Sequence, residues 1–229
     1  MNATARAIRG STILLLAGIA FLGIAGCIGG FATPPPPNTV DMEAAHWSLL
    51  WGAGVPSHPA PSQPGWHFNI PAAPGSVHYV QVPINATEDL TGKTLTLTFR
   101  MVSNDPVYNA SVDPGVSGPA SFHLFLERRN DDFTNPYYRW WCYAGGYTLG
   151  TQDNQTITLS CPLDYTAWSS VYAGQNKTQF TNTLNNLGSV GVTFGGSGGW
   201  GHGVNLLGGS AQFQVLDASI SDPVPTVSH

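Results

Sequence analysis

Apolar and polar residues alternate along much of this chain with a period of two, the pattern of strands that bury one face. The run from Thr94 to Val102 shows it most cleanly. Leu95, Leu97, Phe99 and Met101 fall on one side, and Thr94, Thr96, Thr98 and Arg100 fall on the other. The same period predicts a strand over Ser76 to Ile84 with Val80, Val82 and Ile84 inward. It predicts another over Ser121 to Glu127, with Phe122, Leu124 and Leu126 inward and His123 and Phe125 opposite. Further on, Ile157, Leu159 and Cys161 share a face against Thr156, Thr158 and Ser160. Ser189 to Phe194 turns Val190, Val192 and Phe194 inward. The last strand, Ala211 to Ser221, changes phase: Phe213 and Val215 have one parity, and Leu216, Ala218 and Ile220 the other. A bulge near Val215 reconciles them, because one extra residue shifts the inward face.

The segments between these runs predict turns and one helix. Phe180, Leu184 and Leu187 recur at helical spacing, so a short helix is expected over about Thr178 to Asn186, with Gly188 as its stop. Trp168 is placed as a plug at one end of the core. His46 to Gly65 is a Trp-, Pro- and Gly-rich lead-in, where Trp47 and Trp51, four apart, fit a short helical turn. Asn104 to Pro119 reads as a polar loop, and Glu127 to Asp132 as a solvated turn. About eight short strands with one helix make an all-β protein built as a two-sheet antiparallel β-sandwich. No internal repeat is present.

Composition agrees with that class. Charged residues are only 9%, while Gly (27) and Pro (18) supply the turns an all-β chain needs. The formal charge is −5 and no basic patch stands out, which excludes nucleic acid as a partner. Gly195-Gly-Ser-Gly-Gly199 matches the nucleophile-elbow pattern but leads into glycines and a strand instead of a helix, so it is a turn. His46, His58 and His67 are spaced too irregularly for metal ligands, and His202 reads as a turn residue. The acidic residues show no pair arranged for glycosidic acid/base work, and no catalytic residue is assigned. A polysaccharide-active enzyme would need a groove with two carboxylates.

Arg6 and Arg9 precede an apolar stretch, Ser11 to Ile24, of signal-peptide length and too short for a comfortable membrane span. It ends in Ile24-Ala25-Gly26-Cys27, which resembles the lipobox of bacterial lipoproteins. That resemblance implies cleavage before Cys27 and lipidation of Cys27. The expected organisation is then a signal peptide over 1–26 and a lipidated, Pro-rich linker over 27–45, with Pro34 to Pro37 as a semi-rigid spacer. A β-sandwich domain over 46–222 and a tail over 223–229 complete it. The expected location is extracytoplasmic, lipid-anchored in the cell envelope at the outer membrane or cell surface. Cys142 and Cys161 remain, either as one disulfide in an oxidising compartment or as two buried thiols.

From Trp168-Ser-Ser-Val-Tyr through Leu187-Gly-Ser-Val-Gly-Val-Thr-Phe and Gly201-His-Gly-Val-Asn to Ala211-Gln-Phe-Gln-Val-Leu-Asp-Ala-Ser-Ile, the chain resembles the end of a galactose-binding-like jelly roll. Many carbohydrate-binding modules share that sandwich. The resemblance implies a structural calcium between the terminal strands. Asp217 is the one position that carries over to it. No matching acidic residue stands near the first strand, and a hard cation wants six or more oxygens. No other cofactor is implied.

The candidate binding surface lies on the strand around Cys142. If Cys142 points inward, Tyr138 and Trp140 accompany it. Tyr137, Arg139, Trp141 and Tyr143 then form an outward row suited to stacking on sugar rings and forking hydrogen bonds to hydroxyls. In the opposite phase Trp140 becomes the exposed ring. The reading is a non-catalytic, membrane-anchored lipoprotein whose partner is a glycan. The alternative is a structural module whose sheet contacts an envelope protein.

Overall fold

The computed structural model describes residues 40–222, except 85, 87, 111–117, 132, 172, 173, 197 and 198. The signal peptide, Cys27, most of the linker and the tail therefore lie outside the described residues. The first strands are β1 (Ser48–Leu50), β2 (Ala60–Pro61), β3 (Trp66–Asn69) and β4 (Tyr79–Pro83). Next come β5 (Thr94–Asn109), β6 (Ser121–Arg128), β7 (Arg139–Thr148), β8 (Thr156–Pro162) and β9 (Trp168–Ser170). Helix α1 (Lys177–Leu184) precedes β10 (Leu187–Gly196), β11 (Gly199–Trp200) and β12 (Asn205–Ser221). One sheet runs β1-β4-β10-β6-β7-β9, with β11 on β10, and the other runs β2-β3-β12-β5-β8. All the ladders are antiparallel. The protein is the all-β, two-sheet antiparallel sandwich that the alternation predicts.

The inward residues of both sheets meet in one aromatic core. Phe99 and Phe213 come from the five-stranded sheet, and Phe122, Tyr147 and Phe194 from the seven-stranded one. Their ring centroids lie 4.9–5.6 Å apart, in the tilted and edge-on arrangements that aromatic pairs prefer. The phase change in β12 is a bulge: Val215 pairs with Phe99 and Asp217 with Thr98, leaving Leu216 as the extra residue. Cys142 of β7 and Cys161 of β8 form a disulfide, so the bond ties one sheet to the other. Helix α1 is capped by Asn176, which accepts from the Gln179 amide. It covers one end of the core, with Phe180 against Trp140 and Trp168 at 5.2 and 6.0 Å.

Four local expectations are corrected. The strand begun at Thr94 does not stop at Val102 but continues as β5 to Asn109, because Asn104, Val107, Tyr108 and Asn109 pair with β12. Trp47 and Trp51 do not share a helical turn: β1 runs between them, with Trp47 in the core and Trp51 exposed. Gly188 does not stop the helix. Asn185 caps it, and Gly188 sits at a register shift inside β10, where a side chain would strike the backbone of Arg129. The turn after Glu127 is solvated only at its tip: Arg129 and Asn130 are exposed, but Glu127 is buried and the Asp131 side chain has no exposure.

Candidate functional site: the covered outer face of the larger sheet

Strands β4, β6 and β7 put aromatic side chains on the outer face as well as apolar ones on the inner, while β10 between them turns Ser189, Gly191 and Thr193 outward. Register places Gln81, Gly191, Phe125, Trp141 and Ser169 in one row across the outer face. Tyr79, Thr193 and His123 form a second row, and Ser189, Glu127 and Arg139 a third. Of these, Tyr79, Phe125, Glu127, Trp141, Ser169, Ser189 and Thr193 are buried, although they belong to the face away from the sandwich core. The chain between β6 and β7 covers part of this face, at Tyr79, Glu127 and Arg139. Phe133 packs on Tyr79, and Tyr79 packs on Phe125, each at 5.1 Å between centroids. Trp51, from the segment after β1, meets Phe133 edge-on at 5.4 Å and remains 64% exposed.

These rings form the wall of an open pocket of about 230 Å³, lined by Trp51, His78, Tyr79, Phe133, Arg139 and Gly201. Trp51 and Phe133 both have left-handed backbone (φ 58° and 65°), which bulky side chains rarely adopt. Such conformations cost on the order of 1–3 kcal/mol each and cluster at ligand sites. Gly201 also has positive φ (85°), and a Cβ there would overlap the Tyr79 hydroxyl, so glycine is required at this rim.

Arg139 fixes the wall. Its Nη2 donates to the Phe133 carbonyl at 2.9 Å, its guanidinium lies 4.9 Å from the Phe133 ring centroid, and its Nε lies 3.3 Å from Asp131 Oδ2. The Arg139 charge also acts on the Tyr79 phenol. On the opposite rim His78 contacts the Gly201 carbonyl through Nδ1 at 2.9 Å and the Ser76 hydroxyl through Nε2 at 2.8 Å. Burial pushes the His78 imidazole below its ordinary value, which leaves it neutral at pH 7. Burial raises the Tyr79 phenol, so it stays protonated. Glu127 is pushed up to about 7, first by burial and then by its neighbour Asp131. The pocket therefore offers aromatic faces, a phenol and a guanidinium whose charge Asp131 compensates. That is a surface for stacking and neutral hydrogen bonding.

The structure disperses the row read from the sequence. The phase is as expected for Trp140 and Cys142, both inward in the core. Arg139 is in the pocket wall. Trp141 faces outward but is only 7% exposed, in the buried row beside Phe125, so it is floor and not an open platform. Tyr137 (39% exposed) precedes β7. Tyr143 (49% exposed) stands where Cys142 to Gly145 bulge away against the single residue Leu124. Asp217 is exposed on the five-stranded sheet, and no group of three His, Cys, Asp or Glu suited to a metal ion lies among the described residues. Trp51, Phe133, Tyr79 and His78 were not singled out from sequence. One signal was available: Phe125 and Trp141 give their strands large apolar residues on both faces, the mark of a sheet covered on both sides.

No family model and no curated protein matches the chain. Among solved structures, one similar fold is a "xylan-binding module CBM15", 13% identical, covering 78% of this chain and 95% of that one, with a TM-score of 0.39. Another is Xylanase10C, a mutant from Cellvibrio japonicus in complex with xylopentaose. It is 14% identical, covering 83% of this chain and 29% of that one, with a TM-score of 0.37.

Proposed function

We propose that this domain binds carbohydrate without cleaving it, in the pocket on the outer face of the larger sheet. The observation that carries the reading is the wall of Trp51, Phe133 and Tyr79, with Arg139 and His78 beside it. Sugar rings present apolar C–H faces that stack on aromatic planes, and their hydroxyls take hydrogen bonds from fixed donors. The wall is held by fixed contacts before any ligand arrives, which limits the ordering cost of binding. Among the described residues near it, the carboxylates of Glu127 on β6 and Asp131 on the β6–β7 segment are both buried. Buried carboxylates do not face the pocket's solvent, which supports a binding role.

The domain is carried, in this reading, by a lipid on Cys27 and held off the membrane by the proline-rich linker, on the outer side of the cell envelope. The disulfide supports an oxidising location. Radiolabelled palmitate incorporated by the native chain and lost in Cys27→Ala would support the anchor, and equal labelling of both would remove it. The binding reading is tested by screening residues 38–222 against soluble xylan, β-glucan and mannan, alongside Phe133→Ala. Binding that the variant loses supports the pocket, and binding that the variant keeps places the ligand elsewhere.

A further inference from the structure

A buried ionisable group lies under the pocket wall, and stacking a sugar does not by itself require it. Glu127 is 5% exposed, and its Oε2 accepts from the Ser189 hydroxyl at 3.0 Å. Its Oε1 is buried without a hydrogen-bond partner. The groups facing it can be named element by element. β4 supplies Tyr79 and Gln81, β10 supplies Ser189 and Thr193, β7 supplies Arg139 directly opposite in register, and the β6–β7 segment supplies Asp131. Arg128 and Arg129 are turned elsewhere: Arg128 lies over the Tyr138 ring, and Arg129 reaches the Ile84 carbonyl. Among the described contacts, Arg139 is the cation on the pair, engaged with Asp131.

The charge count decides the consequence. With Glu127 protonated, Asp131 and Arg139 balance, and the Glu127 proton can bridge from Oε1 to the Asp131 carboxylate. With Glu127 ionised, two carboxylates share one guanidinium out of reach of water, and the second charge is uncompensated. The cheapest relief is local, because one of the two carboxylates sits on a segment that can lift and admit water. That segment carries Phe133.

We propose that Glu127 and Asp131 share one proton as a latch on the β6–β7 segment, fastening the Phe133 wall when the proton is present and releasing it on deprotonation to solvent. The consequence for affinity rests on the binding reading above, whereas the latch itself does not. The sign follows from linkage: the closed form holds the proton more tightly than the open form, so raising pH favours opening. His78, with His202 near it, lies across Tyr79 from the latch. Because burial lowers His78, its titration falls at lower pH than the opening step.

The test is amide hydrogen exchange on the full-length chain without ligand, at pH 6 and pH 8, corrected for intrinsic exchange. The reporters are Asp131, whose N–H donates to the Arg128 carbonyl, and Arg129, whose N–H donates to the Asn186 carbonyl. Their protection should fall about tenfold relative to the Val190 amide over this range, and Glu127→Gln should abolish the fall. Equal protection at both pH values in the native chain, or the same fall in Glu127→Gln, overturns the latch. If the variant does not fold, the Glu127 carboxyl carbon is followed by NMR in the native chain. A midpoint near 7 agrees with the latch, and one near the ordinary glutamate value near 4.3 contradicts it. Xylopentaose and cellopentaose are titrated in parallel. If neither binds at any pH while protection behaves as expected, the latch stands and the binding reading falls.

Discussion

The two outward faces of this sandwich are built on different rules. On the five-stranded sheet Thr96 meets Ser160, Thr98 meets Thr158, and Arg100 meets Thr156. These are hydrogen-bonded cross-strand pairs standing in solvent. On the seven-stranded sheet the corresponding positions are Tyr79, Phe125, Trp141, Glu127 and Arg139, with Phe133 over Tyr79 and Arg139 and Trp51 at its edge. The first face is the solvated side that an antiparallel sheet can afford. The second is covered like a core, yet carries ionisable groups and opens at one end into a pocket. An outward side chain is therefore neither exposed nor structural by default. What decides is whether another segment lies over it.

The largest expected effect tests that difference directly. Trp141→Ala on the covered face should cost about 3–5 kcal/mol in chemical denaturation, as for a core aromatic. A cost below about 1 kcal/mol would mean that Trp141 is not packed as a buried side chain. Next comes the bond that joins the sheets. Cys142→Ser opens a bridge between residues 19 apart and should cost about 3 kcal/mol by loop entropy, read as a lowered denaturation midpoint against the oxidised native chain.

A comparable effect should follow pH. Glu127 is raised from 4.5 to about 7 in the folded state. The unfolded chain thus releases its proton first, and stability falls as pH rises from about 4.5 to about 7, then levels off. The loss should reach on the order of 3 kcal/mol, be absent from the pH curve of Glu127→Gln, and so remain in the native-minus-variant difference curve. A difference curve that is flat across this range would show that Glu127 titrates normally. The smallest effect belongs to the open face: Thr98→Ala, which removes the 3.0 Å contact with Thr158, should change stability by only about 0.2–1 kcal/mol.

The same contrast sets what was legible in the sequence. Where one face is core and the other is water, alternation fixes the strand, its phase and even its defect. Leu95 to Met101 and the bulge after Val215 were both readable for that reason. The fold was largely accessible on this basis, and the Cys142–Cys161 pairing is one of the two readings that the cysteine count left open.

The site was less accessible because its pieces come from distant segments whose local signals point elsewhere. Phe133 directly follows the charged stretch Glu127 to Asp132, which reads as a solvated turn, and is held by Arg139 from β7. Trp51 sits four residues after Trp47, a spacing that suggests a helix. A three-residue strand separates them instead and turns one ring into the core and the other to solvent. Arg139 was found by its place in the outward row, although its partners were not. Trp141 was assigned the correct face, but alternation carries no information about whether that face is covered.

The central claim is that the wall of Trp51, Phe133 and Tyr79 binds a glycan. It is tested most directly by comparing native protein with Trp51→Ala in isothermal titrations against the polysaccharides of the screen. Trp51 is exposed, so its removal should leave the melting temperature within about 2 °C of native, the range expected for a surface change. Affinity should weaken at least about tenfold, the loss of one stacking contact worth about 1.4 kcal/mol. Unchanged affinity in a variant that keeps its stability would contradict the account, because the ligand would then be held without the wall.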